Sequence, residues 1–170
     1  MSGLLLPVPG GLGARHPAVL VATGLGVGRL PPAPGTWASL AAFAPGAALI
    51  ALGGTAALIA GIVIATAFAF WAVAIIDRAG DKDPRTVVID EVVGQWLALL
   101  PVAGMPILWP IAFVAFRVFD VAKPWPISWA DRRLPGALGV MADDVLAGVA
   151  AAAITTLVAL FIGGTPWPTT

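Results

Sequence analysis

Five carboxylates hold most of the chemical potential of this chain: Asp90 and Glu91 together, Asp120 alone, and Asp143 with Asp144. Each stands where a charged stretch meets an apolar one. Burying an acid at membrane depth costs about 2.5–3.5 kcal/mol on insertion scales, so acids placed there have a partner or a purpose. Neighbouring residues on a helix point about 100° apart, so one acid of each pair can face inward while the other faces water. Asp143 and Asp144 could alternatively do no more than favour the positive N-terminal end of the last helix. The chain has no cysteine and a single histidine, His16. Disulfides, thiolate metal sites, cysteine nucleophiles and mechanisms needing two imidazoles are therefore excluded. Clustered carboxylates without soft ligands suggest a hard-cation site, and Mg²⁺, which prefers oxygen and keeps several waters, fits that description.

A second constellation is Arg117-Val118-Phe119-Asp120-Val121-Ala122-Lys123-Pro124. Residues three apart share a helix face, so Asp120 can meet both Arg117 and Lys123. Pro124 takes Lys123 out of helical geometry, so its ammonium is presented from a bend. One acid between two bases makes an ion-pair ladder, and it also suits a phosphate held beside a metal.

The elements that must position these groups are apolar. Of 170 residues, 59% are hydrophobic and 11% charged, against about 25% charged in soluble domains, and the mean hydropathy is +0.97. Nine basic residues balance nine acidic ones, so no basic nucleic-acid surface is expected. All nine acids lie between Asp77 and Asp144, and uncharged stretches at 30–76, 92–116 and 145–170 flank the clusters. About 20 apolar residues cross a bilayer. Residues 56–76 and 145–162 each read as one span, and 37–52 reads as a shorter piece folded back on the first through Gly53-Gly54-Thr55. The stretch 92–116 is cut by Pro101, Pro106 and Pro110. Read as one kinked helix, it separates Asp90 from Asp120 by the bilayer. Read as a re-entrant hairpin turning at 101–106, it keeps every charged cluster on one face, and this reading is preferred. It also leaves the tips at Gly53 and Gly104 without Lys or Arg, as the positive-inside bias requires. The expected fold is thus all-α, a polytopic integral membrane helical bundle with short or re-entrant helices in the middle. It forms a single embedded domain over 17–165, behind an N-terminal segment, 1–16, read as disordered and not as a secretory signal. Trp37, Trp71, Trp125, Trp129 and Trp167 fall near span ends and read as interfacial anchors.

The run Thr23-Gly24-Leu25-Gly26-Val27-Gly28-Arg29 followed by Leu30-Pro31-Pro32-Ala33-Pro34-Gly35-Thr36 loosely imitates a dinucleotide loop, with 19–22 as the preceding strand. Its third glycine is one residue early and prolines stand where a helix should begin. What remains is a Gly/Pro-rich loop that ends in Thr36 as N-cap and could offer backbone N–H groups to an anion, or could simply connect elements.

Four blocks taken in order, GLGVGRLPPAPGTW, DPRTVVIDEVVGQW, FRVFDVAKPWPISWADR and GALGVMADDVLAG, strongly resemble the phosphatidylglycerophosphatase A family of bacterial membrane lipid phosphatases. The resemblance runs from Thr23 to Gly148. It implies Mg²⁺-dependent hydrolysis of phosphatidylglycerophosphate to phosphatidylglycerol and phosphate in the cytoplasmic membrane, with the active site on the cytoplasmic face. On this reading Asp90, Glu91, Asp120, Asp143 and Asp144 supply metal ligands, with Asp90, Glu91, Asp120 and Asp144 also the catalytic groups. Arg117 and Lys123 bind the phosphate, helped by backbone amides at Gly26 or Thr36. The partners are the lipid substrate and the bilayer; nothing in the sequence sets an oligomeric state.

Other chemistries fail on absent residues. The aspartyl-phosphate signature is missing, because Asp81-Lys82-Asp83 runs into Pro84-Arg85, and so is the Asp-x-x-Asp-Gly-x-x-Ala-Arg signature of CDP-alcohol phosphotransferases. Two readings from other classes remain: a small cation carrier, which would want acids in mid-span, and a non-catalytic membrane scaffold using the same carboxylates.

Overall fold

The computed structural model describes residues 5–81 and 84–167. Among the described residues the fold is all-helical: α1 (Pro17–Ala22), α2 (Pro34–Ala41), α3 (Phe43–Arg78), α4 (Ile89–Leu99), α5 (Trp109–Ala122), α6 (Ile127–Arg133) and α7 (Gly136–Phe161). Residues 19–22, read above as a strand, instead lie in helix α1. Pro17 sits at its first position and His16 Nδ1 accepts from the Ala18 N–H at 3.2 Å, which together start a helix. Ahead of α1, the Leu6 N–H bonds the Arg29 carbonyl at 2.8 Å and the Gly10 N–H the Asp81 carboxylate at 2.8 Å. The part of 1–16 from residue 5 on is thus tied down at two points; residues 1–4, and Lys82-Asp83 of the excluded aspartyl-phosphate comparison, lie outside the described residues.

The expected fold-back at Gly53-Gly54 is present inside α3. Gly54 has φ +61° and ψ −152°, a region open in practice to glycine alone. Leu49 packs so closely on Gly61 that a Cβ there would lie 2.5 Å from Leu Cδ1. In an unbroken helix those residues would be about 18 Å apart. The second arm, 55–78, is about 36 Å long at 1.5 Å per residue, enough to cross hydrocarbon. The run Pro34–Arg78 and helix α7 are both long and apolar enough for membrane spans. Ile59, Val63, Ile64 and Phe68 of α3 and Leu157, Leu160 and Phe161 of α7 point outward. An apolar surface that extensive suits association with a membrane.

The stretch 92–116 is a hairpin. Helices α4 and α5 pack on each other, joined by two 3₁₀ turns around Ala103-Gly104. That tip lies beside the Gly53-Gly54 tip, since 50–55 line one small hollow with Ala103 and Gly104. Asp90 and Asp120 therefore end up together, and the single kinked helix is excluded. Each helix is shorter than a span.

Helix α7 begins at Gly136, nine residues before the expected start, with Pro135 as its cap. Asp143 and Asp144 thus lie about two turns inside the helix, beyond the reach of its N-terminal dipole. Service to the helix end does not explain them. Helix α7 packs on α4 through Gly94 and Gly148: a Cβ on Gly148 would sit 2.6 Å from the Gly94 carbonyl oxygen, and one on Gly94 2.4 Å from the Phe116 ring. Beneath lies the main core, with Leu58, Val93, Leu99, Phe116, Met141 and Ala151. Trp96 Nε1–H donates to the Ala42 carbonyl at 2.8 Å, tying α4 to the α2–α3 junction. Gly148→Ala is expected to lower stability by about 1–3 kcal/mol, the range for overpacking a tight contact, read as a fall in the unfolding temperature of detergent-solubilised protein.

Candidate active site

A polar cavity of about 820 Å³ opens at the end of the bundle opposite the two glycine tips. Every acid among the described residues lines it: Asp77, Asp81, Asp90, Glu91, Asp120, Asp131, Asp143 and Asp144. Among the described residues only three bases do, Arg85, Arg117 and Lys123. Acids from five stretches of the chain, 77–81, 90–91, 120, 131 and 143–144, are gathered into one space.

At its base α4 supplies Asp90 and Glu91 in its first turn, and α7 supplies Asp144. One carboxylate oxygen from each lies within 4.8 Å of the others. Asp90 and Asp144 are buried, at 8% and 3% exposure. Glu91 keeps more exposure as a residue, but its Oε2 is sealed from solvent. Glu91 Oε2, Asp143 Oδ1 and Asp144 Oδ1 are buried and have no hydrogen-bond partner among the described residues. Buried carboxylate oxygens without donors are costly, more so beside other carboxylates. Two of these oxygens, on Glu91 and Asp144, belong to carboxylates that converge with Asp90, and such an arrangement fits a cation. Burial pushes the Asp90 carboxyl well above the carboxylate range, with Glu91 beside it adding to the rise. Burial likewise pushes Glu91 up to about 8, with Asp144 and Asp120 raising it further against the hydrogen bond from Asp90.

Asp120 and Asp143, also expected as metal ligands, stand just outside this trio. Asp120 is within hydrogen-bond reach of Asp144 and is held by Arg117 Nη1 at 2.5 Å. Asp143 Oδ2 receives the Lys123 ammonium at 2.6 Å. Lys123 closes α5 in the left-handed conformation, φ +42°, outside the right-handed helical region that Pro124 disfavours. Burial would lower its pKa, but Asp131 at 2.5 Å and Asp143 outweigh that and hold it above its ordinary range, so it stays charged. Asp131 is a member of the site that the sequence reading did not pick out. Its signal was Trp129-Ala130-Asp131-Arg132-Arg133, which looks like an ordinary solvated end of α6.

The loop residues fall elsewhere. Gly26 does not line the cavity, and its N–H is used up on the Thr23 carbonyl at 3.1 Å and hydroxyl at 3.0 Å. Gly28 N–H likewise bonds Thr23 O, and the Val88 N–H bonds Ala22 O at 2.8 Å. This loop is a connector that seats the segment leading into α4, with no amide at Gly26 or Gly28 left for an anion. Thr36 is not the cap of α2 either. Pro34, at the first position, begins the helix two residues earlier with Ala33 before it, and the cavity is lined by Pro34 and Gly35 rather than Thr36. Gln95, one turn beyond Glu91, is fully buried with both amide atoms unpartnered among the described residues; nothing in its sequence neighbourhood signalled it.

An all-helical bundle with apolar outer faces and a carboxylate-lined cavity that could hold a metal ion at one end is the architecture of a membrane-associated enzyme. The sequence profile of the family described as Phosphatidylglycerophosphatase A matches residues 20–159, and the chain belongs to that family. It is 35% identical over 162 residues to phosphatidylglycerophosphatase A of Escherichia coli (strain K12), covering 90% of this chain and 87% of the relative. With the protein of the same name from Haemophilus influenzae it shares 36% over 140 residues, covering 79% and 83%. A Bacteroides thetaiotaomicron protein, by name a candidate phosphatidylinositol-3-phosphatase, is 40% identical over 143 residues, covering 77% and 86%. No solved structure matches the chain.

Proposed function

We propose that the protein hydrolyses the terminal phosphomonoester of phosphatidylglycerophosphate, giving phosphatidylglycerol and inorganic phosphate, with Mg²⁺ as its metal. On this reading it is a multi-pass protein of the bacterial cytoplasmic membrane whose cavity faces the cytoplasm. The observation that carries the chemistry is the convergence of Asp90, Glu91 and Asp144, with Glu91 Oε2 and Asp144 Oδ1 sealed and without donors among the described residues. Eight carboxylates against three bases would repel a phosphate dianion, so binding it here demands cations as well as Arg117 and Lys123. Asp90, Glu91 and Asp144 would hold the ion, which when bound neutralises phosphoryl oxygens and lowers the pKa of an attacking water. Asp120, adjoining Asp144 and held by Arg117, would accept that water's proton. Arg117 and Lys123 hold the phosphate by charge-assisted hydrogen bonds, and the first turn of α2 at the cavity wall adds the positive end of a helix dipole. The acids share one cavity, and among the described residues none lies between it and the tips, which favours hydrolysis over cation transport.

The test is phosphate release by the purified protein from phosphatidylglycerophosphate and, in parallel, from phosphatidylinositol 3-phosphate. Release from the first that stops on chelation and returns with Mg²⁺ supports the reading. Preference for the second lipid would replace the substrate, and metal-independent release would remove the metal.

Stability of the metal-free protein should fall as pH rises. The folded-state pKa of Glu91, about 8, lies above its ordinary 4.5. The folded form therefore binds the extra proton across that window, its stability from this group is greatest below the lower value, and it is lost as pH climbs through the upper one. Metal binding needs the deprotonated carboxylate. Unfolding temperatures measured from pH 5 to 9 are expected to drop without Mg²⁺, and the increment that Mg²⁺ adds is expected to grow with pH.

A further inference from the structure

An apolar groove of about 530 Å³ runs along the outer side of α5, walled by Pro110, Ile111, Val114, Val118 and Phe119 and, across from them, Ile154 of α7. Its lining is almost without polar surface. Val114, Val118 and Val121 are spaced by four and three, so they form one stripe of α5. Val121, the last of the three, also lines the polar cavity and is 73% exposed. One turn of α5 thus separates the groove wall at Val118 from the cavity rim at Val121. The other aliphatic residues of the cavity wall near α3, Val73 and Ile76, are buried in the bundle and offer no way out. From Pro110 to Val121 the stripe is about 17 Å long, close to the roughly 15 Å depth of one leaflet's hydrocarbon.

We propose that this groove seats one acyl chain of the lipid substrate, so that the chain lies along α5 while the phosphate enters the cavity beyond Val121. The assignment rests on the phosphatase reading. A lipid held by its phosphate must lead its chains out past an exposed apolar rim, and Val121 supplies that rim on the same stripe as the groove. Because hydrocarbon tails are no less apolar than the groove, transfer from bulk lipid contributes little; the gain is in aligning the headgroup, and shape fit decides it.

The test compares kcat/KM for phosphatidylglycerophosphate bearing two hexadecanoyl chains with that for the dihexanoyl form, both in mixed micelles. Filling the groove with Val118→Trp, or independently with Val114→Trp, is expected to lower the long-to-short ratio roughly tenfold, the scale on which apolar pockets read chain shape. Val63→Trp, on the outward face of α3, is expected to leave the ratio unchanged. An unchanged ratio in both groove variants, or an equal fall in Val63→Trp, overturns the assignment and leaves bulk lipid or a second copy of the chain as the occupant. If the unaltered protein releases phosphate from neither lipid, the phosphatase reading fails and takes the groove assignment with it.

Discussion

Asp90→Asn, Glu91→Gln and Asp144→Asn are each expected to cost at least a thousandfold in phosphate release while leaving the helical fold in place. These three side chains share one small space, and none can be replaced by a neighbour. Asparagine and glutamine keep size and one acceptor oxygen but remove the charge that holds a divalent ion against the repulsion of the remaining acids. Losing the group that organises transition-state charge costs about 10²–10³ by itself, and losing the activation of water adds to it. Folding without metal should not suffer, since each substitution replaces a buried carboxyl, whose ionisation its acidic neighbours oppose, by a neutral amide of the same size. Asp143→Asn makes the informative contrast. Its Oδ2 is committed to Lys123 at 2.6 Å, and Asp131 holds the same ammonium at 2.5 Å. A loss of only about tenfold is expected there, because the lysine keeps one partner and the ion keeps its three ligands. Phosphate-release rates over a Mg²⁺ titration, with circular dichroism for the fold, check the set. Equal losses in all four variants would show that the trio is no unit, and full activity in Asp90→Asn would remove it from the reaction.

The positions of the acids along the chain favoured one charged face, reached if the apolar stretches between them go out and back, over a single kinked helix at 92–116 that would have split them. The Gly53-Gly54 reversal and the α4–α5 hairpin follow from that, and so does the exit of Lys123 from helical geometry before Pro124. The start of α7 was hidden for a physical reason. Reading Asp143-Asp144 as the end of a span assumes that charges mark the water boundary, but here they point into a cavity inside the bundle, and the helix runs through them. The Gly24–Gly28 loop misled in the opposite way. Its glycines do serve a tight bend, but a bend satisfied by Thr23 rather than by an anion, and only the fold decides where those N–H groups go. Asp131 and Gln95 were illegible because their roles depend on what lies opposite them: Lys123 for one, the buried interior for the other.

Gly35 tests whether the cavity was built around its acids or merely contains them. It carries no chemistry, and alanine in a helix is better than glycine by about 1 kcal/mol, so local propensity favours Gly35→Ala. The site does not. A Cβ at that position would stand 2.1 Å from Glu91 Oε1 and 3.1 Å from Arg117 Nη1. Glu91 would have to swing away, taking an oxygen out of the trio, and the Arg117 guanidinium that orients Asp120 would be pressed at the same time. Displacing reacting groups by about 1 Å can cost on the order of 10²-fold, and a loss of roughly that size is expected in kcat. Thr36→Ala, one residue on but outside the cavity wall, is expected to change kcat by less than about threefold, within the scale of ordinary surface substitutions. Together the two variants ask whether the first turn of α2 acts through its closeness to Glu91 or through the threonine hydroxyl. Near-normal turnover in Gly35→Ala, with the loss falling on Thr36→Ala, would mean that the hydroxyl touches substrate and that the wall of the cavity at Gly35 is free to move.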